Sequence, residues 1–226
     1  MKSYKYLDIA TVAFVVTLFF SNFIGNSKVS QLGPFTFTTG LVLFPLSYLL
    51  GDVLTEVYGY SKSRRVIWLG FGSLLVSILL VQLMIWLPPA NEWHNQKAYE
   101  TIFSNSFRTT ISSIIAFWAG EFTNSFTLAK MKILTKGKHL WTRTIGSTIV
   151  GEGVDTLIFY PLAFGGLLAF PGHLIFAIMA SNYILKVMWE VFATPFTYKI
   201  VAFLKKKEHE DYYDYKTDFN PFVTGI

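Results

Sequence analysis

The chain has 226 residues, of which 52% are hydrophobic, 18% aromatic and only 15% charged, with a formal net charge of +5 and a mean hydropathy of +0.43. An average soluble domain carries about 25% charged residues, so the composition excludes an ordinary soluble domain, as well as disordered and collagen-like chains. The absence of cysteine excludes disulfides, thiolate metal sites and a cysteine nucleophile.

A membrane-spanning helix needs about 20 mostly apolar residues. In chain order, the apolar runs predict an all-α integral membrane protein with spans at about 7–25, 37–58, 66–87, 108–130, 144–166 and 173–203. Lys2 and Lys5 ahead of the first run resemble the start of a signal peptide, but no small-residue cleavage site follows, so the run reads as a retained span. Residues 88–106 read as a polar loop with room for a short interfacial helix. The runs at 108–130 and 144–166 are weakened by acidic residues, each costing about 2.5–3.5 kcal/mol at a helix centre. Charge asymmetry keeps them as spans. With six crossings, the 58–65 and 131–143 loops and both termini hold most of the Lys and Arg, and only Lys28, Lys97 and Arg108 fall on the other side. That is the positive-inside pattern, so the basic excess reports orientation and not a nucleic-acid face. Residues 1–204 then form the transmembrane domain, and 205–226 a cytoplasmic charged and aromatic tail. The middle helix of each half repeats a theme, Pro45, Gly51-Asp52 and Glu56 against Gly151-Glu152, Asp155 and Pro161. A 3+3 pseudo-repeat of this kind would be inverted, a common transporter architecture.

Ionisable residues inside spans mark function, because lipid solvates them poorly. This chain places Asp52, Glu56, Glu121, Glu152, Asp155, Lys186 and Glu190 there. One ammonium faces six carboxylates, so some of these must be protonated, hydrated or awaiting a ligand. Residues three or four apart share a helix face. That pairs Asp52 with Glu56, Glu121 with Asn124 and Glu152 with Asp155, and it aligns Asn182, Lys186 and Glu190 beside Trp189. Glu121, Glu152, Asp155, Lys186 and Glu190 fall near mid-membrane, Asp52 deeper toward the cytoplasm and Glu56 near its edge. Glu56 is expected to pair with Arg64 or Arg65. Lys186 and Glu190 either form an intrahelical salt bridge or belong to the site. Ser21, Asn22 and Asn26 close the first helix, in inter-helix hydrogen bonds or in contact with a substrate. Trp118, Phe159, Tyr160 and Trp189 are candidates to stack on a flat ligand or to pack in the core. Ser147 and Gly151 suit close helix packing. The four histidines are scattered through loops and tail, and no P-loop is present, so neither metal nor cofactor is expected.

The segments FPLSYLLGDVLTEVYGYSKSRRVIWLGF (44–71), WAGEFTNSFTLAKMK, RTIGSTIVGEGVDTLIFYPLAF and the tail DYKTDFNPF together resemble the queuosine-precursor transporter family, also called the vitamin-uptake-transporter family. The likeness runs over essentially the whole chain. It implies a non-enzymatic importer in the bacterial inner membrane. Its substrates would be 7-deazaguanines: 7-cyano-7-deazaguanine, 7-aminomethyl-7-deazaguanine or queuine. It also implies a six-helix bundle related to the substrate-binding subunits of energy-coupling-factor vitamin transporters. Those subunits dock through alanine pairs at spacing four, whereas here Phe14 follows Ala10 and Thr17 follows Ala13, which argues against an ATPase partner. The implied partners are the deazaguanine ligand and membrane lipid, with a homodimer left open. The alternatives are a subunit of an ATP-driven transporter and, ranked below it, a membrane-embedded acid/base enzyme.

A guanine-type edge offers N1–H and an exocyclic amine, which one carboxylate accepts together. Glu121 or Glu152 would take that edge, and Asn124 or Asn182 a carbonyl or ring nitrogen. Asp155 or Glu190 would face the C7 substituent or pair with Lys186, and Asp52 would act as a gate. Asn22, Trp118, Tyr160 and Trp189 complete the candidate set.

Overall fold

Every one of the apolar runs contains a long helix. The structure is a computed structural model and describes residues 4–23, 29–32, 35–103, 107–166 and 172–223; Lys2, Asn26 and Lys28 lie outside them. Its order is α1 (Leu7–Phe23), β1 (Val29–Leu32), β2 (Phe35–Thr38), α2 (Gly40–Tyr58), α3 (Tyr60–Trp86), α4 (Gln96–Phe103), α5 (Phe107–Leu134), α6 (Leu140–Phe164) and α7 (Gly172–Glu208). By length and apolar composition, α3 and the 175–208 stretch of α7 are long enough to cross a membrane, and α1 is a shorter apolar helix. The acidic residues of α5 and α6 lower their hydropathy, as the sequence implies.

The second run departs from expectation at its start. Residues 35–38 do not begin a helix but pair antiparallel with 29–32, with Val29 opposite Thr38 and Leu32 opposite Phe35. Phe-Thr-Phe-Thr alternates aromatic and β-branched residues with period two, a pattern that favours a strand over a helix.

The α2 helix is the centre of the bundle, packed against α1, α3, α5 and α7, and residues 51–60 are all buried. The α5 and α6 helices touch backbone to backbone. A Cβ on Gly120 would lie 3.0 Å from the Gly151 carbonyl oxygen, and one on Gly151 would lie 2.9 Å from that of Gly120. Small residues permit this approach where apolar burial cannot drive helices together.

The C-terminal segment is more than a charged tail: residues 209–223 run back across the ends of α2, α3 and α5. The Tyr212 N–H donates to the Val57 carbonyl, and Asp214 accepts from the Tyr60 N–H. Arg64 donates to the carbonyls of Asp218 and Asn220, and Trp68 to that of Pro221. Tyrosines of the segment cover two glycine turns. Gly59 (φ +83°) joins α2 to α3 beneath Tyr212, and Gly137 (φ +74°) joins α5 to α6 beneath the Tyr213 hydroxyl. At the same end, Glu208 accepts from the N–H groups of Lys5 and Tyr6 at the start of α1, where a helix N-terminus favours an anion.

Beneath this cover sits Glu56, fully buried. The expectation that it pairs with Arg64 or Arg65 at an interface is not met, because Arg64 is engaged by the tail. Glu56 is instead gripped by Arg143 of α6 through two bonds of 2.7 and 2.8 Å, by Lys205 of α7 at 2.5 Å and by Lys132 of α5 at 3.5 Å. Lys132 and Lys205 also hold Asp211 of the tail at 2.6 and 2.8 Å. Partial burial would raise the Asp211 carboxyl, but the hydrogen bonds from Lys132 and Lys205 outweigh it and hold the group below its ordinary range.

Two predictions follow from this hub. Glu56→Gln leaves three cations facing a neutral amide, so thermal unfolding of purified protein in detergent should show a loss of about 3–5 kcal/mol. A loss within error of zero would contradict a structural hub. A depressed carboxyl stabilises the fold above its unfolded value and ceases to as pH falls through its folded value. Asp211→Asn should therefore lower the melting temperature at neutral pH, with the difference from wild type closing below about pH 4.

Candidate functional site

About 6 Å up the axis of α2 from Glu56, the chain gathers a second set of ionisable groups, paired differently. Residues 44, 48, 52 and 56 share one face of α2 at spacing four and present Phe44, Tyr48, Asp52 and Glu56 in sequence. The α5 helix contributes Glu121 and Asn124, α6 contributes Glu152 and Asp155, and α7 contributes Lys186 and Glu190. Asp52, Glu121, Asn124, Glu152 and Glu190 are each at most 1% exposed.

The cluster divides in two. On one side Lys186 donates to Glu152 at 2.8 Å and to Asp155 at 3.0 Å, with its ammonium 4.2 Å from the centre of the Phe44 ring. Of the two arrangements open for Lys186 in the sequence, the structure therefore has the bridge to α6 and not the one along its own helix to Glu190. Tyr160 lies within electrostatic range of this group and within hydrogen-bonding range of Asn182, whose amide donates to the Ile178 carbonyl of its own helix. On the other side Asn124 donates to Asp52 Oδ1 at 2.7 Å, and there the partners end. Among the described residues, Asp52 Oδ2, both oxygens of Glu121, both of Glu190, Asn124 Oδ1 and the Tyr48 hydroxyl are buried without a hydrogen-bond partner. Buried polar atoms are normally satisfied, and leaving a donor or acceptor unmade costs about 1–3 kcal/mol. The orphans are almost all acceptors, so what they lack is donors.

Three of the remaining candidates lie elsewhere. Trp118 packs with Trp68, Phe122 and Phe222 of the tail. Trp189 packs on the apolar core around Phe14 and Leu18. Asn22 accepts from Ser113 at 3.2 Å and donates to the Leu18 carbonyl, tying α1 to α5. Two hollows open elsewhere on the molecule. One of about 240 Å³ lies between Met84, Pro88 and Tyr99, and one of about 160 Å³ lies between α1 and α3 around Val16 and Ser73. Neither is lined by a charged residue.

Reading the sequence in pairs missed Tyr48 and Phe44, although the four-residue stripe on α2 signals both. It also missed a hydroxyl triad one turn below Asp52, where Thr55, Ser63 and Ser125 bond one another at 2.9–3.2 Å across α2, α3 and α5.

Residues 38–200 match the family described as "Putative vitamin uptake transporter". The chain belongs to this family. The match spans α2 to most of α7 and leaves α1 and the folded tail outside. The chain is 31% identical over 172 residues to the "Probable queuosine precursor transporter" of Bacillus subtilis (strain 168), covering 76% of this chain and 74% of that one. It is 24% identical over 161 residues to the "Queuosine precursor transporter" of Escherichia coli (strain K12), covering 71% and 70%. No solved structure matches the chain.

Close backbone approach places the Glu121 carboxylate, and this can be tested without any ligand. A Cβ on Gly51 would lie 1.9 Å from Glu121 Oε1, whereas one on Gly72 would meet nothing within 4 Å. Gly51→Ala should lower the melting temperature in detergent. Gly72→Ala, which adds about 0.5–1 kcal/mol of helix propensity, should leave it unchanged or raise it. Equal melting temperatures for the two variants would contradict the packing.

Proposed function

We propose that the protein imports 7-deazaguanine precursors of queuosine through a six-helix membrane bundle, with Glu121 reading the guanine edge of the base. The observation that carries this reading is the state of Glu121. It is a fully buried carboxylate with both oxygens free of partners among the described residues, and it sits between helices that hold the other polar groups. Two adjacent N–H donors, N1–H and the exocyclic amine, complement two adjacent carboxylate oxygens. Glu152 shares the acidic character of Glu121 but is engaged by Lys186, which favours Glu121 for the edge. Asn124 Oδ1 and the Tyr48 hydroxyl supply further acceptor and donor capacity, and the rings of Phe44 and Tyr48, 5.8 Å apart, offer apolar surface to the flat base. The Lys186–Glu152–Asp155 group, with Tyr160 in electrostatic range, takes the C7 side. An aminomethyl cation there competes with Lys186 for the two carboxylates, while a neutral cyano group needs only space.

Import implies alternating exposure of this set to either side. α1, α2, α3, α5, α6 and α7 serve as the spans, and the Glu56 hub and folded tail close the cytoplasmic end. The names of the two relatives and the family membership support the substrate class, and the chain needs no ATPase in this reading.

Purified wild-type protein should bind both 7-cyano- and 7-aminomethyl-7-deazaguanine in calorimetric titration and carry them into liposomes without ATP. Glu121→Gln keeps the size but turns an acceptor toward the ligand's N–H groups into a donor. Binding should weaken by about 2–5 kcal/mol, in a variant that still folds. Wild-type affinity in folded Glu121→Gln would remove the edge-reading role. For topology, cysteine placed at Lys62 or Lys138 should resist an impermeant thiol reagent in intact cells, and at Asn95 should react. Labelling at Lys138 from outside would contradict six spans.

A further inference from the structure

Two of the buried acids are left without a role once Glu121 reads the base and Lys186 is shared by Glu152 and Asp155. Asp52 reaches from α2 and Glu190 from α7, both at most 1% exposed. Asp52 Oδ1 accepts from Asn124, but Asp52 Oδ2 and both Glu190 oxygens have no partner among the described residues. The two helices that carry them, α2 and α7, pack against one another, and Asp52 lies within the electrostatic range of Glu190.

Among the described residues, no cation is placed to pair with these two acids. On α2 the neighbouring titratable groups are Tyr48 and Glu56, and Glu56 is saturated by Arg143, Lys132 and Lys205. The α5 helix presents Glu121 and Asn124, and α6 presents Glu152 and Asp155. On α7 the nearest cation, Lys186, donates to Glu152 and Asp155. The α1 and α3 helices add the apolar side chains of Phe14, Leu18 and Leu74 to the core beside α2, while their own Asp8, Lys62, Arg64 and Arg65 sit at the tail-covered end. Among the described residues, no three acidic or histidine side chains are placed to hold a metal ion. What remains is the proton. A carboxylate only accepts hydrogen bonds, whereas a protonated carboxyl also donates one. One proton on this pair therefore supplies the missing donor and halves the charge.

We propose that Asp52 and Glu190 form a proton-binding pair that couples ligand uptake to proton movement. A proton from the outer water adds to one carboxylate oxygen, forming an O–H and taking the pair from −2 to −1. When the site opens inward, that O–H breaks and the proton leaves to water. The Thr55–Ser63–Ser125 hydroxyls lie one turn below Asp52 toward the inner end, and they both donate and accept along that route. The pair is distinct from Glu121. The proposal rests on the deazaguanine reading only for the choice of ligand.

The test uses purified full-length protein in liposomes and neutral 7-cyano-7-deazaguanine, so that ligand charge does not respond to membrane potential. With one proton per ligand, an inward gradient of one pH unit should sustain about tenfold accumulation, abolished by an uncoupler. Asp52→Asn and Glu190→Gln should lose the accumulation and the response of uptake to the pH gradient. Should a variant fail to insert, proton uptake accompanying ligand entry is read on wild type with a pH dye in the vesicle lumen, and lumenal acidification is expected. Binding with uptake indifferent to the gradient, no acidification, or variants that accumulate like wild type would each overturn the pair. Failure of wild type to bind the ligand at all would overturn the substrate reading, and the coupling built on it.

Discussion

A charge taken out of water must find a partner, and the bundle meets that demand at one depth and leaves it unmet at the next. Near the tail, Glu56 is surrounded by Arg143, Lys132 and Lys205, and the surplus positive charge is taken up by Asp211. Every helix of the central group except α1 and α3 contributes to that network, so it fixes how α2, α5, α6 and α7 stand to one another. Removing one member of such a buried set costs more than the set contributes intact, which makes it a rigid floor. One turn higher, the described residues set five carboxylates against a single ammonium, and it reaches only Glu152 and Asp155. A cluster that is costly when empty is suited to a ligand or ion that arrives carrying donors.

The helix packing serves this arrangement. Gly51, Gly120 and Gly151 let α2, α5 and α6 approach until Glu121 lies on the backbone of α2 and Asn124 on that of α6. Larger residues would separate the helices and admit water or lipid to the acids. The folded tail adds a second layer. Its tyrosines rest on Gly59 and Gly137, the turns that reverse α2 into α3 and α5 into α6, and Asp211 joins it to the hub. The floor beneath the polar cluster is thus closed by residues far apart in sequence.

Much of the helical order was legible in the chain, because 3.6-residue packing and 20-residue apolar runs leave few alternatives. The hairpin at 29–38 was not, since a four-residue period-two signal vanishes inside an apolar window. At the site, Asp52, Glu121, Asn124, Glu152, Asp155, Lys186 and Glu190 were legible because an ionisable residue in an apolar helix is conspicuous. Their partners were not. The assignment of Glu56 to Arg64 or Arg65 followed sequence proximity, whereas the structure pairs it with residues 76 to 149 positions away. Tertiary charge pairing carries no periodic signal. Trp118 and Trp189 were chosen for their ring faces, and aromatic type alone does not distinguish a stacking surface from core or tail packing. The tail reads as charged and aromatic, but its docking onto α3 and α5 through Phe219, Phe222, Asp211 and the backbone carbonyls that Arg64 reaches has no sequence signal.

The most direct measurement is an experimental structure of the protein with 7-cyano-7-deazaguanine bound. The base edge should lie on Glu121, with N1–H and the exocyclic amine each within hydrogen-bond distance of one carboxylate oxygen, and with the C7 group toward Lys186. A ligand held in the hollow beside Pro88 or between α1 and α3, with Glu121 still without a partner, would contradict the site described above.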